Sequence, residues 1–200
     1  LMTSTTSLAE MEWMLARAAG YNAGFAMVLR VRDAQKNPIR DELLDAIREW
    51  ETARRSGAFS IAQRERLKNP KSEFHIEKTG AQEWRLYPFY YSAPFSHEKK
   101  DLQPVEPTHS SWNFSNPYDA QPIQFTLEVT GQAGGITNPI LTVDKFAELT
   151  LPISLQAGER LVVDGIQARI YDAKGKQRST FNLEETPTLS KGNHILKFKT

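Results

Sequence analysis

Residues 23–29, with the sequence AGFAMVL, form a short run without a single polar side chain. The run is too short for an independent helix and lies between two helical patterns, which predicts a strand buried on both faces. Such strands occur inside parallel sheets, and a parallel sheet needs several strands. The strands predicted downstream alternate as antiparallel strands do. We therefore expect that the chain begins inside a larger β/α domain whose other strands lie upstream. The alternative is a compact α+β domain in which residues 23–29 form a central strand of the downstream sheet.

The helical patterns occupy most of residues 1–70. Ser7 and Glu10 have the spacing of a capping box, which predicts a helix over residues 8–20. A second apolar stripe predicts a helix over residues 39–55, and a third predicts a short helix over residues 61–67.

Residues 71–120 lack the helical period. Alternating apolar residues predict a hairpin whose turn lies at Thr79 and Gly80, and an irregular arm rich in proline and aromatic residues follows over residues 88–122. An irregular segment of that length with so many aromatic side chains argues against a free linker. Residues 121–200 alternate again between turn signals, which predicts an antiparallel β-sandwich or jelly roll.

Composition restricts the classes of function. The chain has 200 residues, 40% of them hydrophobic, which is enough for one large or two small folded domains. Lys and Arg total 25 against 24 Asp and Glu, so a net charge of +1 argues against a nucleic-acid partner. The absence of cysteine excludes disulfides and thiolate metal sites. No run approaches the roughly 18 apolar residues of a transmembrane helix, so we predict no membrane span.

Several segments resemble one family. Residues 11–26 and 43–51, together with residues 56–59 (SGAF), look like the closing strand and last helix of the (β/α)8 barrel in large bacterial glycoside hydrolases of the gut-Bacteroides kind. Residues 165–172 (GIQARIYD) and 189–195 (LSKGNHI) are similar to the galactose-binding-like jelly-roll modules that follow such barrels. The resemblance covers most of the chain but includes no catalytic motif, so it implies no catalytic residue.

With this resemblance, the predicted fold class is α+β in three parts. Residues 1–70 are a helix-strand-helix remnant of a β/α barrel, residues 71–120 are a hairpin and aromatic connecting arm, and residues 121–200 are an antiparallel β-sandwich of jelly-roll type. The family's catalytic carboxylates lie on middle barrel strands, which this chain does not contain.

Two arginines follow the predicted barrel strand. The carboxyl ends of barrel strands point toward the active-site face, so Arg30 and Arg32 are candidates to bind a carboxylate or an acidic sugar. The alternative is a solvated loop of mixed charge. We interpret the carboxylates of Asp41 and Asp45 as part of a solvated helix surface rather than an acid–base pair.

Aromatic side chains are the better candidates for sugar contact, because sugar rings stack their C–H faces on aromatic rings. The candidate platforms are Trp84, Tyr90, Tyr91, Trp112 and Tyr118. The alternative is that these residues attach the connecting arm to its neighbours.

Metal chemistry has weak support in the sequence. The four histidines are isolated from one another along the chain and lack zinc-ligand spacing. Asp144, Asp164 and Asp172, in predicted loops of the sandwich, are candidate ligands of a structural calcium ion, and turn chemistry explains them equally well. We predict no other cofactor.

These patterns predict a non-catalytic C-terminal piece of a secreted glycoside hydrolase. Its sandwich buttresses the catalytic barrel or contacts carbohydrate, and its partner is the upstream barrel of the same polypeptide. The periplasmic or extracellular location follows from the resemblance alone, because residues 1–7 do not look like a signal peptide. One alternative is a self-contained carbohydrate-binding or adhesion module, and another is a purely structural assembly domain.

Overall fold

The structure, a computed structural model, describes residues 2–89, 92–98, 109–131, 134–145 and 148–200. The fold is α+β, and its sheets are antiparallel. The chain divides into two compact units, Leu1–Tyr91 and Ser92–Thr200.

The first unit contains the helices and a hairpin. The elements are α1 (Leu8–Gly20), α2 (Val31–Lys36), α3 (Arg40–Arg55), α4 (Ile61–Leu67), β1 (Glu73–Gly80) and β2 (Glu83–Phe89). Three helices and the hairpin confirm the sequence predictions. The capping box is also confirmed, because Ser7 N donates to Glu10 Oε2 at 2.8 Å and Glu10 N donates to Ser7 Oγ at 3.2 Å. Helix α2 was not predicted, since its six residues present no apolar stripe.

The core of the first unit is formed by the apolar stripes of its helices and by one face of the hairpin. Its fully buried large side chains include Met11, Leu15, Leu43, Trp50 and Leu67. Helices α1 and α4 approach each other closely at Gly20, where a Cβ atom would lie 3.0 Å from Arg64 O. A larger residue at this position would therefore push the two helices apart.

The strand predicted over residues 23–29 is not formed. Residues 23–28 have irregular backbone, and Leu29 makes one isolated parallel bridge, to Met2. Phe25 and Met27 pack against the core, but 72% of Val28 is exposed. The prediction of burial on both faces is therefore wrong: among the described residues, Met2 alone bridges to the segment, and one bridge does not extend a run of irregular backbone into a strand. The alternative of a central strand in the downstream sheet is wrong for the same reason.

The second unit consists of short strands. They are β3 (Ser110–Asn116), β4 (Gln121–Pro122), β5 (Gln124–Glu128), β6 (Ile136–Thr137), β7 (Ile140–Val143), β8 (Leu149–Thr150), β9 (Ser154–Leu155), β10 (Arg160–Asp164), β11 (Gln167–Tyr171), β12 (Gln177–Asn182), β13 (Thr188–Leu189) and β14 (Gly192–Lys199). Two four-stranded sheets have the orders β12-β11-β10-β5 and β3-β14-β7-β8. The pairs β13-β4 and β6-β9 are smaller.

The prediction of an irregular arm over residues 88–122 is wrong for Ser110–Asn116. This segment is β3 and pairs with β14, so that Trp112 lies opposite Leu196 and Phe114 lies opposite His194. Its half-buried residues alternate with exposed Ser and Asn residues, which is the period of a strand with one covered face. The aromatic composition of the region concealed this alternation.

Two apolar clusters form the core of the second unit. One surrounds Leu155 and Leu161, and the other surrounds Leu141 and Val143. Phe125 on β5 packs against both clusters, so the two four-stranded sheets share a continuous apolar core. Burial alternates along β7 and β10, as expected for strands that each have one face covered.

Candidate functional site

An exposed apolar edge lies at the end of the irregular segment in the first unit. We define the exposed edge as Val28, Leu29 and Val31, whose exposed fractions are 72%, 42% and 66%. The start of the segment is held in place by Phe25 and Met27, which pack against the core of the first unit. The edge therefore presents adjacent apolar side chains on an anchored backbone.

Arg30 and Arg32 border this edge. Arg30 precedes α2 and makes no side-chain capping hydrogen bond, and its side chain is exposed. Arg32 is 80% exposed, and its Nε lies 3.9 Å from Asp33 Oδ1. Their assignment as acid-binding residues remains a prediction, and their exposure is also what the mixed-charge alternative predicts.

A buried polar cluster lies inside the first unit. The carboxylate of Glu12 on α1 is 5% exposed, and its Oε1 accepts a hydrogen bond from the Trp50 indole Nε1 at 3.0 Å. His75 Nδ1 on β1 lies 2.9 Å from Oε1 and 3.0 Å from Oε2 of the same carboxylate. The cluster links α1, α3 and the hairpin through directed hydrogen bonds, which fixes their relative positions.

Sequence reasoning missed this cluster. His75 and Trp50 are far from Glu12 along the chain, and nothing in the spacing connects them. One local signal existed, because Glu12 stands four residues after Leu8 and four before Ala16, both in the apolar stripe of α1. A carboxylate within an apolar stripe predicts a buried partner.

A second polar contact joins α1 to the loop before β1. Arg17 Nη2 donates to the backbone carbonyls of Asn69 and Ser72. Burial lowers the pKa of Arg17, and the nearby carboxylate of Glu73 opposes that shift. This contact positions the first strand of the hairpin.

The aromatic candidates are distributed over both units. In the first unit, Trp84 is half-buried, and its Nε1 donates to Glu49 Oε2 on α3 at 3.2 Å. Lys78 Nζ lies 5.8 Å from the centre of the Trp84 ring. Tyr90 and Tyr91 lie outside the described residues. Trp84 thus joins the hairpin to α3 in the way that the packing alternative expects.

In the second unit, Trp112 is half-buried and stacks on Phe95, with ring centres 5.3 Å apart and an interplanar angle of 19°. Phe95 belongs to the segment before β3, so this pair attaches that segment to the sheet. Tyr118 is half-buried, and its backbone N donates to Asn116 Oδ1 at 3.0 Å. The assignment of these rings to sugar binding remains a prediction.

A second charged pair is partly buried in the second unit. His194 on β14 places Nδ1 2.6 Å from Asp144 Oδ2 and Nε2 2.7 Å from the carbonyl oxygen of Ser190. Burial lowers the pKa of His194, but its hydrogen bonds to Asp144 and Ser190 together outweigh burial, so the net shift is upward. The hydrogen bond from His194 lowers the pKa of Asp144. Because both ring nitrogens face acceptors, the imidazolium form is the one that satisfies both contacts.

The carboxylates considered for calcium all have nitrogen partners. Asp144 Oδ1 accepts from Ile195 N at 2.7 Å in addition to the His194 contact, and Asp164 Oδ1 accepts from a glutamine side chain at 2.9 Å. Asp172 Oδ1 accepts from Lys174 N and Lys176 N at 2.8 and 2.9 Å. These are the contacts of turns and strand ends. Within the described ranges, no group of three or more His, Asp or Glu side chains is placed to hold a metal ion.

A row of polar residues crosses the sheet β12-β11-β10-β5 of the second unit. We define the polar row as Gln124, Asp164, Gln167 and Asn182, which stand directly opposite one another on β5, β10, β11 and β12. Directly opposed residues point to the same face of a sheet. Three of the four are exposed, and Asp164 is half-buried. Three strand spacings give the row a length of about 14 Å.

Comparison with known proteins gives no relative: no family model, curated protein or solved structure matches the chain. Of the helices in the described part of the chain, none is both long and apolar enough to span a membrane.

Proposed function

We propose that the chain is a non-catalytic C-terminal piece of a secreted glycoside hydrolase. In this proposal residues 1–70 are the last β/α element of a catalytic barrel, residues 71–120 connect it to the next module, and residues 121–200 are a β-sandwich accessory module of jelly-roll type. The upstream barrel of the same polypeptide is its partner.

The observation that carries the proposal is the parallel bridge between Met2 and Leu29. Parallel pairing requires a crossover connection, usually a helix, and α1 lies between the two bridged residues in sequence. Met2, helix α1 and Leu29 therefore follow one another in the order of a strand-helix-strand unit. The short helix α2 and then the longer helix α3 follow the second bridge residue, as an outer helix of a barrel follows its strand.

The exposed edge supports the same proposal. Val28, Leu29 and Val31 are large apolar residues that follow one another closely, and adjacent exposed apolar side chains mark interaction surfaces. A neighbouring strand and its covering helices would bury these side chains, each with a gain of roughly 1.5–3 kcal/mol. It would also pair the backbone of residues 23–28, and the regular strand predicted from the sequence would form.

The test compares this chain with the longer protein encoded by the same reading frame. We expect several hundred further codons with β/α periodicity before Leu1, and we expect the amide hydrogens of residues 25–29 to exchange slowly only in the longer protein. The amides of β10 are the internal control and exchange alike in both. The longer protein hydrolyses chromogenic glycosides and the chain alone does not. A reading frame without such codons, or turnover by this chain alone, refutes the proposal.

The polar row favours a second candidate, carbohydrate binding by the second unit. Its amide and carboxylate groups supply both donors and acceptors, which is what sugar hydroxyl groups require. The row spans three strand spacings of about 4.8 Å, which gives its length of about 14 Å. It is therefore longer than one sugar ring. Ile166, 49% exposed in the turn between β10 and β11, adds an apolar contact beside the row.

Binding to a glycan array tests this second candidate. We expect Gln167→Ala to weaken binding about tenfold, because it removes a central hydrogen-bonding group of the row. Gln177→Ala, on β12 but in a different row, is the matched control and leaves binding unchanged. Loss of binding in Trp112→Ala with retention in Gln167→Ala would instead assign the sugar site to the stacked rings. No binding by the wild-type chain to any glycan refutes both assignments.

A further inference from the structure

Three arginines line one cleft in the first unit. The cleft has a volume of about 540 Å³ and lies where α1 and α3 end and α4 begins. Its walls include Asn22, Arg54, Arg55, Gly57, Phe59 and Arg64. Among the described residues that line it, none is acidic.

One of the three arginines is already neutralised. Arg54 donates to Glu51 through Nε at 3.1 Å and through Nη2 at 2.8 Å, and its Nη1 lies 3.3 Å from Asn22 Oδ1. The hydrogen bonds to Glu51 raise the pKa of Arg54. Arg54 is therefore held as one wall of the cleft by the carboxylate behind it.

The other two arginines leave the cleft with a net positive charge. Arg55 acts on the carboxylate of Glu51, whose pKa is lowered mainly by its hydrogen bond to Arg54 and to a smaller extent by Arg55. Within the part of the chain that the structure describes, neither Arg55 nor Arg64 forms an ion pair, and the nearest acid on α4, Glu65, is bonded to Lys68. Arg55 complements the dipole at the C-terminus of α3, but Arg64 belongs to another helix and adds a second positive charge to the same cleft. Three arginines and the one carboxylate of Glu51 give this region a net charge of +2, which a bound anion would offset.

The remaining walls define the class of anion. Phe59 packs against Trp50 in the core, with ring centres 5.7 Å apart, and the 6% of it that is exposed gives the cleft a small apolar contact. Gly57 has a φ of 72°, and no atom lies within 4 Å of the position of a Cβ, so the cleft stays open to solvent there. A phosphate monoester carries a charge of about −1.5 to −2 at pH 7, which is close in size to the net charge of +2 of the three arginines and Glu51. Arginine also binds phosphate oxygens through two parallel hydrogen bonds.

We propose that this cleft binds a phosphate monoester, with Arg55 and Arg64 on the phosphate and Phe59 against the organic group. The cleft lies wholly within the first unit, so the proposal does not depend on a glycoside hydrolase function. The volume of about 540 Å³ is within the range of small-molecule sites.

Titration at low salt, followed by phosphorus NMR, tests the proposal with two probes, inorganic phosphate and phenyl phosphate. We expect saturable binding of both, with phenyl phosphate the tighter. Arg64→Gln should weaken binding at least about tenfold, and Arg64→Lys, which keeps the charge without the paired donors, should weaken it less. Arg40→Gln, at the opposite end of α3, is the matched control for net charge and should leave binding unchanged.

Thermal unfolding of each variant shows that the fold is retained. If Arg64→Gln does not fold, Arg55→Gln, whose side chain is exposed, gives the same test. No saturable binding of either probe up to about 10 mM, or equal weakening by Arg40→Gln, refutes the proposed site. Binding of inorganic phosphate with no gain for phenyl phosphate refutes the role of Phe59 and retains a site for free phosphate only.

Discussion

The two units differ in the groups that they bury and expose and in the pairing of their backbone. The first unit buries the carboxylate of Glu12 in its core and leaves Val28 and Val31 exposed. The second unit covers its apolar clusters with two paired sheets and carries the polar row on the outside of one of them. In the second unit β10 is paired on both sides, whereas residues 23–28 of the first unit have irregular backbone and Leu29 makes one isolated bridge in the described part of the chain. The units should therefore respond to substitution in different ways.

The largest expected effect is the loss of the buried carboxylate. Glu12→Ala leaves the Trp50 indole N–H and His75 Nδ1 without the acceptor that they share, and it opens a cavity between α1 and the hairpin. Removing one partner from a buried charged network costs about 3–5 kcal/mol of unfolding free energy. Urea denaturation measures the total loss, and hydrogen exchange shows where it occurs. We expect faster exchange in α1 and α3 and no change in β10 or β14.

Two variants sharpen this result. Glu12→Gln keeps an acceptor oxygen and should lose less stability than Glu12→Ala. Glu65→Ala removes an exposed carboxylate from α4 and should change stability by less than about 0.5 kcal/mol. If Glu12→Ala costs no more than Glu65→Ala, the cluster does not hold the first unit together.

The contrast between the units also explains which helices and strands could be predicted from the sequence. Helix boundaries depend on local groups, and the Ser7–Glu10 capping box lies within four residues. Strands of the second unit alternate because one face of each sheet is covered. Residues 23–29 follow neither pattern, because an all-apolar run has no preferred face and its structure depends on partner strands. Local sequence cannot supply those partners.

The polar clusters were harder to predict from the sequence, because their members also come from separate elements. Glu12 and His75 come from different elements, as do Asp144 and His194, and no spacing rule connects either pair. The arginine cleft likewise requires the end of α3 to meet α4. The turn contacts of Asp172 could be predicted from the sequence, because its carboxylate and the backbone N–H groups that donate to it lie within four residues of each other.

A smaller effect is expected at the His194–Asp144 pair of the second unit. The raised pKa of His194 means that its contribution to stability is present below its ordinary value of 6.5 and is lost as pH rises through the folded value. The lowered pKa of Asp144 means that its contribution is present above 3.8 and is lost as pH falls through the folded value. The pair should therefore stabilise the second unit most between about pH 4 and pH 6.5.

His194→Gln tests this dependence. Asp144 is partly exposed, so we expect a loss of only about 1–2 kcal/mol at pH 5.5 and a flatter profile of stability against pH. Lys197→Gln removes one charge from the same strand and is the control, with the wild-type profile retained. Stability that rises between pH 6.5 and pH 8 in the wild-type protein would contradict the assigned direction.

The smallest expected effect on the stability of this chain is at the exposed edge. It tests the feature that distinguishes the first unit from the second, its irregular segment over residues 23–28. Val28→Lys replaces a side chain that is 72% exposed, so the unfolding free energy of this chain should change by less than about 0.5 kcal/mol. In the longer protein of the proposed function, the same substitution would place a charge against the proposed neighbouring strand and should destabilise the first unit by several kcal/mol. Ile61→Lys, at a similarly exposed apolar residue of α4, is the control and should be mild in both proteins. Equal, small effects of both substitutions in the longer protein would show that residues 28–31 face solvent there too, and the β/α assignment of the first unit would then be wrong.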